Sequence, residues 1–392
     1  MRYGHNWQMP STRTWDIFCT VVDNYGDVGV CWRLARQLAA EHGLQVRLWV
    51  DDLASFQRIC PQVTPGLDSQ PHRGVEVRWW REPFPAVTPA DVVVEAFACD
   101  PPASYVAAMA ARQPKPVWIN LEFLSAESWV QGCHGLPSRH PSIPLVKHFF
   151  FPGFVAGTGG VPAEQGLAQA RNRFQHSAAE RANFWGSLRV PEPRADEFQV
   201  SLFCYPNDAV GALLRVWASG NEAVRCLVPE GVAREALAEF FGVAEISAGA
   251  TLRKGGLELR VFPFLDQDSY DRLLWACDLN FVRGEDSFVR AQWAARALVW
   301  HIYPQTDGAH WPKLESFLDL YCKGQPEAVS AVTRGFWRAW NKGDGAAIEA
   351  AWPELREYRL ELRGHALNWA RDLGKTGDLA NNIAQFCENL LK

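Results

Sequence analysis

Short apolar runs alternate with amphipathic helical stretches along nearly the whole chain. The alternation occurs twice, once on each side of a polar segment that closes with Pro191, Glu192 and Pro193. In the first half the apolar runs fall at 16–22, 45–50, 75–79, 91–95, 116–121 and 145–151, with helical periodicity at 28–41 and 104–111. In the second half they fall at 199–205, 223–228, 257–262, 279–282 and 298–301, with helices at 208–218, 232–241, 268–275 and 287–295. Strands that alternate with helices pair in parallel and are covered on both faces, so each half predicts an α/β, Rossmann-like domain. The expected limits are a leader at 1–14, an N-terminal domain at 15–196, a C-terminal domain at 197–365 and a helix at 366–392 that packs back toward the first domain. From Pro312 onward the pattern is almost wholly helical, and its last stretch, 378–391, is expected to lie across both domains as a clasp.

Composition narrows the partners. With 392 residues, 48% hydrophobic and 21% charged, the chain has material for two full-sized cores. A formal charge of −5 provides no strongly basic surface, which argues against nucleic acid and anionic membrane as partners. The ten cysteines include no C-x-x-C pair and mostly sit inside apolar runs, as reduced core residues do. Residues 1–14 are polar, lack an apolar signal core and are expected to be a disordered leader; no run approaches the roughly 20 apolar residues of a membrane span. The expected compartment is the cytoplasm.

Two strand-to-helix turns carry the chemistry. After the first strand comes Asp23-Asn24-Tyr25-Gly26-Asp27-Val28-Gly29, and a turn at the carboxyl end of a parallel strand is where open α/β sheets bind ligands. Asp27 can simply cap the following helix and Asp23 can bond its own turn. Two acids within five residues, with Gly26 allowing close backbone approach, also suit a general base or a clamp on a cationic acceptor. The second turn is Arg283-Gly284-Glu285-Asp286-Ser287. Asp286 or Ser287 at the helix start predicts a side-chain cap, the first-turn N–H groups suit phosphate oxygens, and Arg283 adds a charged fork. Tyr303 and Gln305 follow the 298–301 strand and are placed to close a nucleotide pocket. Phe203, Tyr205 and Phe264 lie at strand ends, where a ring packs in the core or stacks on a base. His301 and His310 lack neighbours at metal-binding spacing, and neither G-x-G-x-x-G nor a P-loop is present.

The motifs resemble those of the bacterial protein-arginine rhamnosyltransferases that modify elongation factor P. The resemblance covers nearly the whole chain and is carried by Trp15-Asp16-Ile17-Phe18-Cys19, the turn from Val22 to Val30, and Trp32-Arg33-Leu34-Ala35-Arg36-Gln37-Leu38. It continues in the stretch from Asn280 to Trp293 and in Trp300-His301-Ile302-Tyr303-Pro304-Gln305. It implies two Rossmann-like domains facing a cleft, the GT-B type of glycosyltransferase, and an inverting reaction that needs no metal and no cofactor. Rhamnose would pass from dTDP-β-L-rhamnose to one arginine side chain of folded elongation factor P, activating it for translation of polyproline stretches. By the same resemblance Asp27 matches the general base, Asp23 a second essential acid and Glu285 an essential acid beside the donor. Phe203, Tyr205, Phe264, Gln267, Arg283, Asp286, Ser287 and Tyr303 match the thymidine and diphosphate pocket. Two other readings share these residues. One is a different sugar-nucleotide enzyme, such as a UDP-sugar epimerase or a small-molecule glycosyltransferase; the other is a non-catalytic protein that binds a translation factor.

Overall fold

The structure, a computed structural model, describes residues 13–23 and 25–392. The expected leader falls outside the described residues up to position 12. Thr14, its last member, instead opens the first strand, where its N–H and hydroxyl both donate to Asp91 at 2.9 and 3.0 Å.

The first sheet comprises β1 (Thr14–Cys19), β2 (Gln45–Val50), β3 (Ser69–His72), β4 (Val75–Trp79), β5 (Val92–Ala96), β6 (Val117–Leu121), β7 (Pro137–Arg139) and β8 (Val146–Phe150). Its order is β3-β4-β2-β1-β5-β6-β8-β7. The second comprises β9 (Glu197–Leu202), β10 (Ala223–Pro229), β11 (Thr251–Lys254), β12 (Leu257–Phe262), β13 (Leu279–Arg283) and β14 (Ala297–His301), in the order β11-β12-β10-β9-β13-β14. Neighbours are parallel except β3/β4, β7/β8 and β11/β12, which are antiparallel hairpin pairs at the sheet edges.

In both sheets the chain fills one side and then returns to fill the other. The first reverses between β1 and β5, the second between β9 and β13. Crevices at such switch points are the usual ligand sites of open α/β sheets. The runs at 16–22 and 199–205 leave their sheets early, at Cys19 and Leu202, and the residues beyond become the turns that line the cleft. β1 is buried on both faces and still holds Asp16, because Arg47 lies opposite it on β2 and binds it by a fork at 2.6 and 2.5 Å.

The cores do not change over at residue 196. Helices Leu167–His176 and Ala178–Ser187 bury Phe174, Phe184 and Trp185 in the core of the second sheet. The final helix, Leu379–Leu390, buries Leu379, Ala380, Ile383, Ala384 and Cys387 in the core of the first. The tie between domains is thus reciprocal: an early segment crosses to the second domain, and the last helix crosses back rather than lying over both. Among the described residues no helix is long and apolar enough to cross a membrane.

Candidate active site

The turn after β1 is closed by its own acid. Asp27 Oδ2 accepts the N–H groups of Val22 (3.0 Å) and Asp23 (2.8 Å), while Asp51, at the end of β2, accepts that of Val21 at 2.9 Å. Asp27 therefore faces back into the loop and does not cap the helix Gly26–His42, which starts with no side-chain cap. The turn after β13 behaves similarly. The helix Asp286–Trp293 also begins uncapped, so the expected capping by Asp286 or Ser287 does not occur. Ser287 donates instead to the Arg283 carbonyl, while Asp286 accepts from Arg33 (2.6 Å) and Gln267 (3.1 Å). Leaving the cap position open keeps the first-turn N–H groups available to a ligand.

The two turns touch. The Tyr205 hydroxyl, from the second domain, donates to Asp23 Oδ2 at 2.6 Å. A Cβ added at Gly26 or at Gly284 would stand 2.7 Å from that same oxygen and displace the Asp23 carboxylate, and at Gly284, with φ +61°, it would also strain the backbone. Asp23 is held between a glycine of each domain.

On one side of Asp23 lies an aromatic pocket lined by Phe203, Phe264, Gln267, Arg283, Asp286 and Ser287, with Tyr25, Phe262 and Tyr270 completing its walls. The Arg283 guanidinium lies 4.7 Å from the ring centre of Phe203 and 4.6 Å from that of Tyr205. The pocket is narrow, about 50 Å³, where the rings of Tyr25 and Phe264 meet at 4.5 Å, and it opens along Phe203 and Arg283 into a cleft of about 1070 Å³.

On the other side is a cavity of about 200 Å³ lined by Asp23, Asp27, Glu285, Tyr303, Gln305 and Lys313, among others. Glu285 spans the domains there, both its oxygens accepting the Leu124 N–H at 3.1 and 3.2 Å. Burial raises all three carboxyls. For Asp23 the Tyr205 hydroxyl and then Arg283 oppose the rise, and for Asp27 the two backbone N–H groups do. Glu285 is pushed up to about 8 by burial, against the Leu124 N–H, with Asp27 and Asp23 adding to the rise.

The structure thus divides the expected site residues. Asp23, Asp27 and Glu285 share one cavity with Tyr303; Phe203, Phe264, Gln267, Arg283, Asp286 and Ser287 share the other. Tyr205 is buried between them, its ring edge-on to Tyr303 at 5.4 Å. Sequence reasoning missed Arg33, Asp51, Asp271 and Lys313. Arg33 alone had a signal, a charge set between the apolar Trp32 and Leu34 inside the helix.

The fold is shared with a UDP-glucosyltransferase of Polygonum tinctorium, which superposes with a TM-score of 0.53 at 10% identity over 97% of this chain and all of that one. Two Rossmann-like domains meeting at a cleft between their switch points make up the GT-B fold. Nearer relatives are specific. The family described as Elongation-Factor P (EF-P) rhamnosyltransferase EarP matches residues 15–388, and the chain belongs to that family. A protein-arginine rhamnosyltransferase of Pseudomonas aeruginosa is 49% identical over 373 residues, 95% of this chain and 98% of the relative. One from Neisseria meningitidis is 34% identical over 383 residues, 94% and 96% of the two chains. A solved structure concerned with "EarP-mediated arginine glycosylation of translation elongation factor EF-P" superposes with a TM-score of 0.70 at 35% identity, over 96% of this chain and 99% of that one.

Proposed function

We propose that this protein-arginine rhamnosyltransferase takes L-rhamnose from dTDP-β-L-rhamnose and transfers it, with inversion and without a metal, to one arginine of elongation factor P. The observation that carries the reading is the division of the cleft at Asp23. An aromatic, arginine-bearing pocket on the second domain adjoins a cavity with the carboxyls of Asp23, Asp27 and Glu285. The pocket suits a base and a diphosphate; the cavity suits a guanidinium.

A guanidinium keeps its proton to a pKa above about 12 and is a poor nucleophile while its lone pairs are delocalised. Asp23 and Asp27 grip it from the first domain. As the nitrogen attacks C1 of the sugar on the face opposite the diphosphate, its proton passes to Asp27, the N–C1 bond forms and the C1–O bond breaks, its electron pair leaving on dTDP. Full proton transfer in advance would be uphill by roughly 8 pKa units for an ordinary carboxylate, so transfer accompanies or follows attack. The rise in Asp27 caused by burial works in its favour.

Charge growing on the diphosphate meets Arg283 and the open first turn of the helix Asp286–Trp293. These groups supply positive potential without a cation. Exposed Val22, Phe123 and Tyr303 surround the carboxylate cavity, an apolar rim that suits a folded protein as acceptor.

The test is purified enzyme with elongation factor P, dTDP-rhamnose and EDTA, followed by peptide mass spectrometry. The expected outcome is one deoxyhexose on one arginine. Turnover of UDP-sugars with no mass gain on the protein would favour a different sugar-nucleotide enzyme. Binding of elongation factor P with no transfer from any donor would favour a non-catalytic role.

A further inference from the structure

The helix that begins beside Asp27 also carries Arg33, which is 1% exposed and finds all its partners outside the first core. Its Nε donates to Asp286 at 2.6 Å, Nη1 and Nη2 to Asp271 at 3.2 and 3.1 Å, and Nη1 also to Glu164 at 3.3 Å. Arg290 approaches the same acids from the second domain, binding Asp271 by a fork at 3.0 and 2.5 Å and Glu164 at 2.6 Å. Asp271 thus lies between two guanidiniums. Arg36 and Arg73 extend the set to Asp268 at 3.2 and 2.6 Å, so that four arginines face four carboxylates.

Such a network is expensive to bury, and apolar packing would often stabilise as well. What it supplies is a fixed register between the two bodies it joins. The place where it acts is specific. One helical turn before Arg33, Gly29 lies against Asp286: its carbonyl accepts Gln267 Nε2 at 3.0 Å, and a Cβ there would stand 3.2 Å from Asp286 Cβ. Gly29 and Arg33 lie on one face of the helix at the spacing that makes neighbours. Through them the helix bearing Asp27 is pressed directly onto the start of the helix beside the aromatic pocket.

We propose that Arg33 is a positioning residue: by clamping Asp286 and Asp271 it sets the distance between the Asp27 carboxylate and the sugar carbon presented by the second domain. This rests on Asp27 being the base and the second domain holding the donor. Gly29 is the counterpart of Arg33, the point of contact whose missing side chain permits that distance.

Three variants test it in the full-length enzyme, with kcat, donor Kd by calorimetry and Tm measured for each. Gly29→Ala sets a methyl 3.2–3.3 Å from Cβ, Cγ and Oδ2 of Asp286 but removes no hydrogen-bonding group and adds a better helix former, so Tm should change little. It wedges the helices apart by a few tenths of an ångström, and kcat should fall about tenfold while donor Kd stays within about threefold, since small misplacements cost rate steeply. Arg33→Lys keeps the charge but loses the fork, and should recover only part of the kcat lost in Arg33→Met. Wild-type kcat in both Gly29→Ala and Arg33→Lys, with Asp27→Asn inactive, would overturn the positioning role alone. So would kcat losses that merely follow losses of Tm. Normal turnover in Asp27→Asn would instead overturn the base assignment beneath it.

Discussion

The turn after β1 and the turn after β13 share a plan: a buried parallel strand at a switch point, a glycine pressed against Asp23, and a helix that starts with no side-chain cap. They differ in what they present. The first turn spends its acid on its own backbone, so that Asp27 takes two loop N–H groups and remains beside Asp23 in a cavity where burial raises both. The second turns Arg283 toward the aromatic pocket and sends Glu285 the other way, to the Leu124 N–H of the opposite domain. One architecture, used twice, thus separates a cavity of buried carboxyls from a pocket that presents a guanidinium. The separation depends on how far the two turns are truly independent.

Asp27→Asn is the strongest way to break that division. The amide oxygen can still accept from Val22 and Asp23, so the turn should survive while the proposed base is lost, and kcat should fall by about 10²–10⁴. Donor Kd by calorimetry should stay within about threefold. Arg283→Ala should do the reverse to the donor, weakening it by roughly tenfold to a hundredfold, as expected for loss of a charge-assisted contact of about 1.5–3 kcal/mol. Equal donor losses in both variants would mean that the turns form a single site, and the comparison would collapse.

Tyr205→Phe probes the hydrogen bond that ties Asp23 of the first turn to the loop after β9 in the second domain. The hydroxyl favours the ionised carboxylate, so its removal should raise Asp23 further and move the acidic limb of the rate profile to higher pH. A loss of several fold, largest at low pH, is expected from the lost bond. A uniform loss across pH would assign Tyr205 to the donor instead.

Much of this frame was legible in the residues, for a physical reason. Strands buried on both faces read as apolar runs, so β1, β9 and β13 stand out, as do the loops after them. β3, β7 and β11 were not seen because edge strands in hairpins carry Ser69, Ser138 or Lys254 and need no apolar face. At the site, the residue types of both turns could be read, but not their partners. Asp286 at a helix start resembles a cap by every local rule, and only the approach of Arg33, 253 positions away in sequence, takes it out of that role. The meeting of Tyr205 with Asp23 and the crossing of Leu379–Leu390 into the first core are long-range in the same sense. Local pattern specifies elements; it does not specify which domain a helix serves.

Glu285 offers a test of stability rather than rate. Its carboxyl, ordinarily near 4.5, is raised to about 8 by burial, with Asp27 and Asp23 adding to the rise. Between those values the folded protein holds a proton that the unfolded chain has released, so stability is fully present below about pH 4.5 and declines as pH rises toward 8. Glu285→Gln cannot ionise, and its amide oxygen can still accept the Leu124 N–H. Its Tm should therefore fall less steeply than that of the parent between pH 5 and 8, a comparison that scanning calorimetry of the two proteins makes directly. Parallel curves would show that Glu285 is already ionised at neutral pH. The second turn would then carry a permanent negative charge into the carboxylate cavity, and the opposition between the two turns would narrow to Arg283 alone.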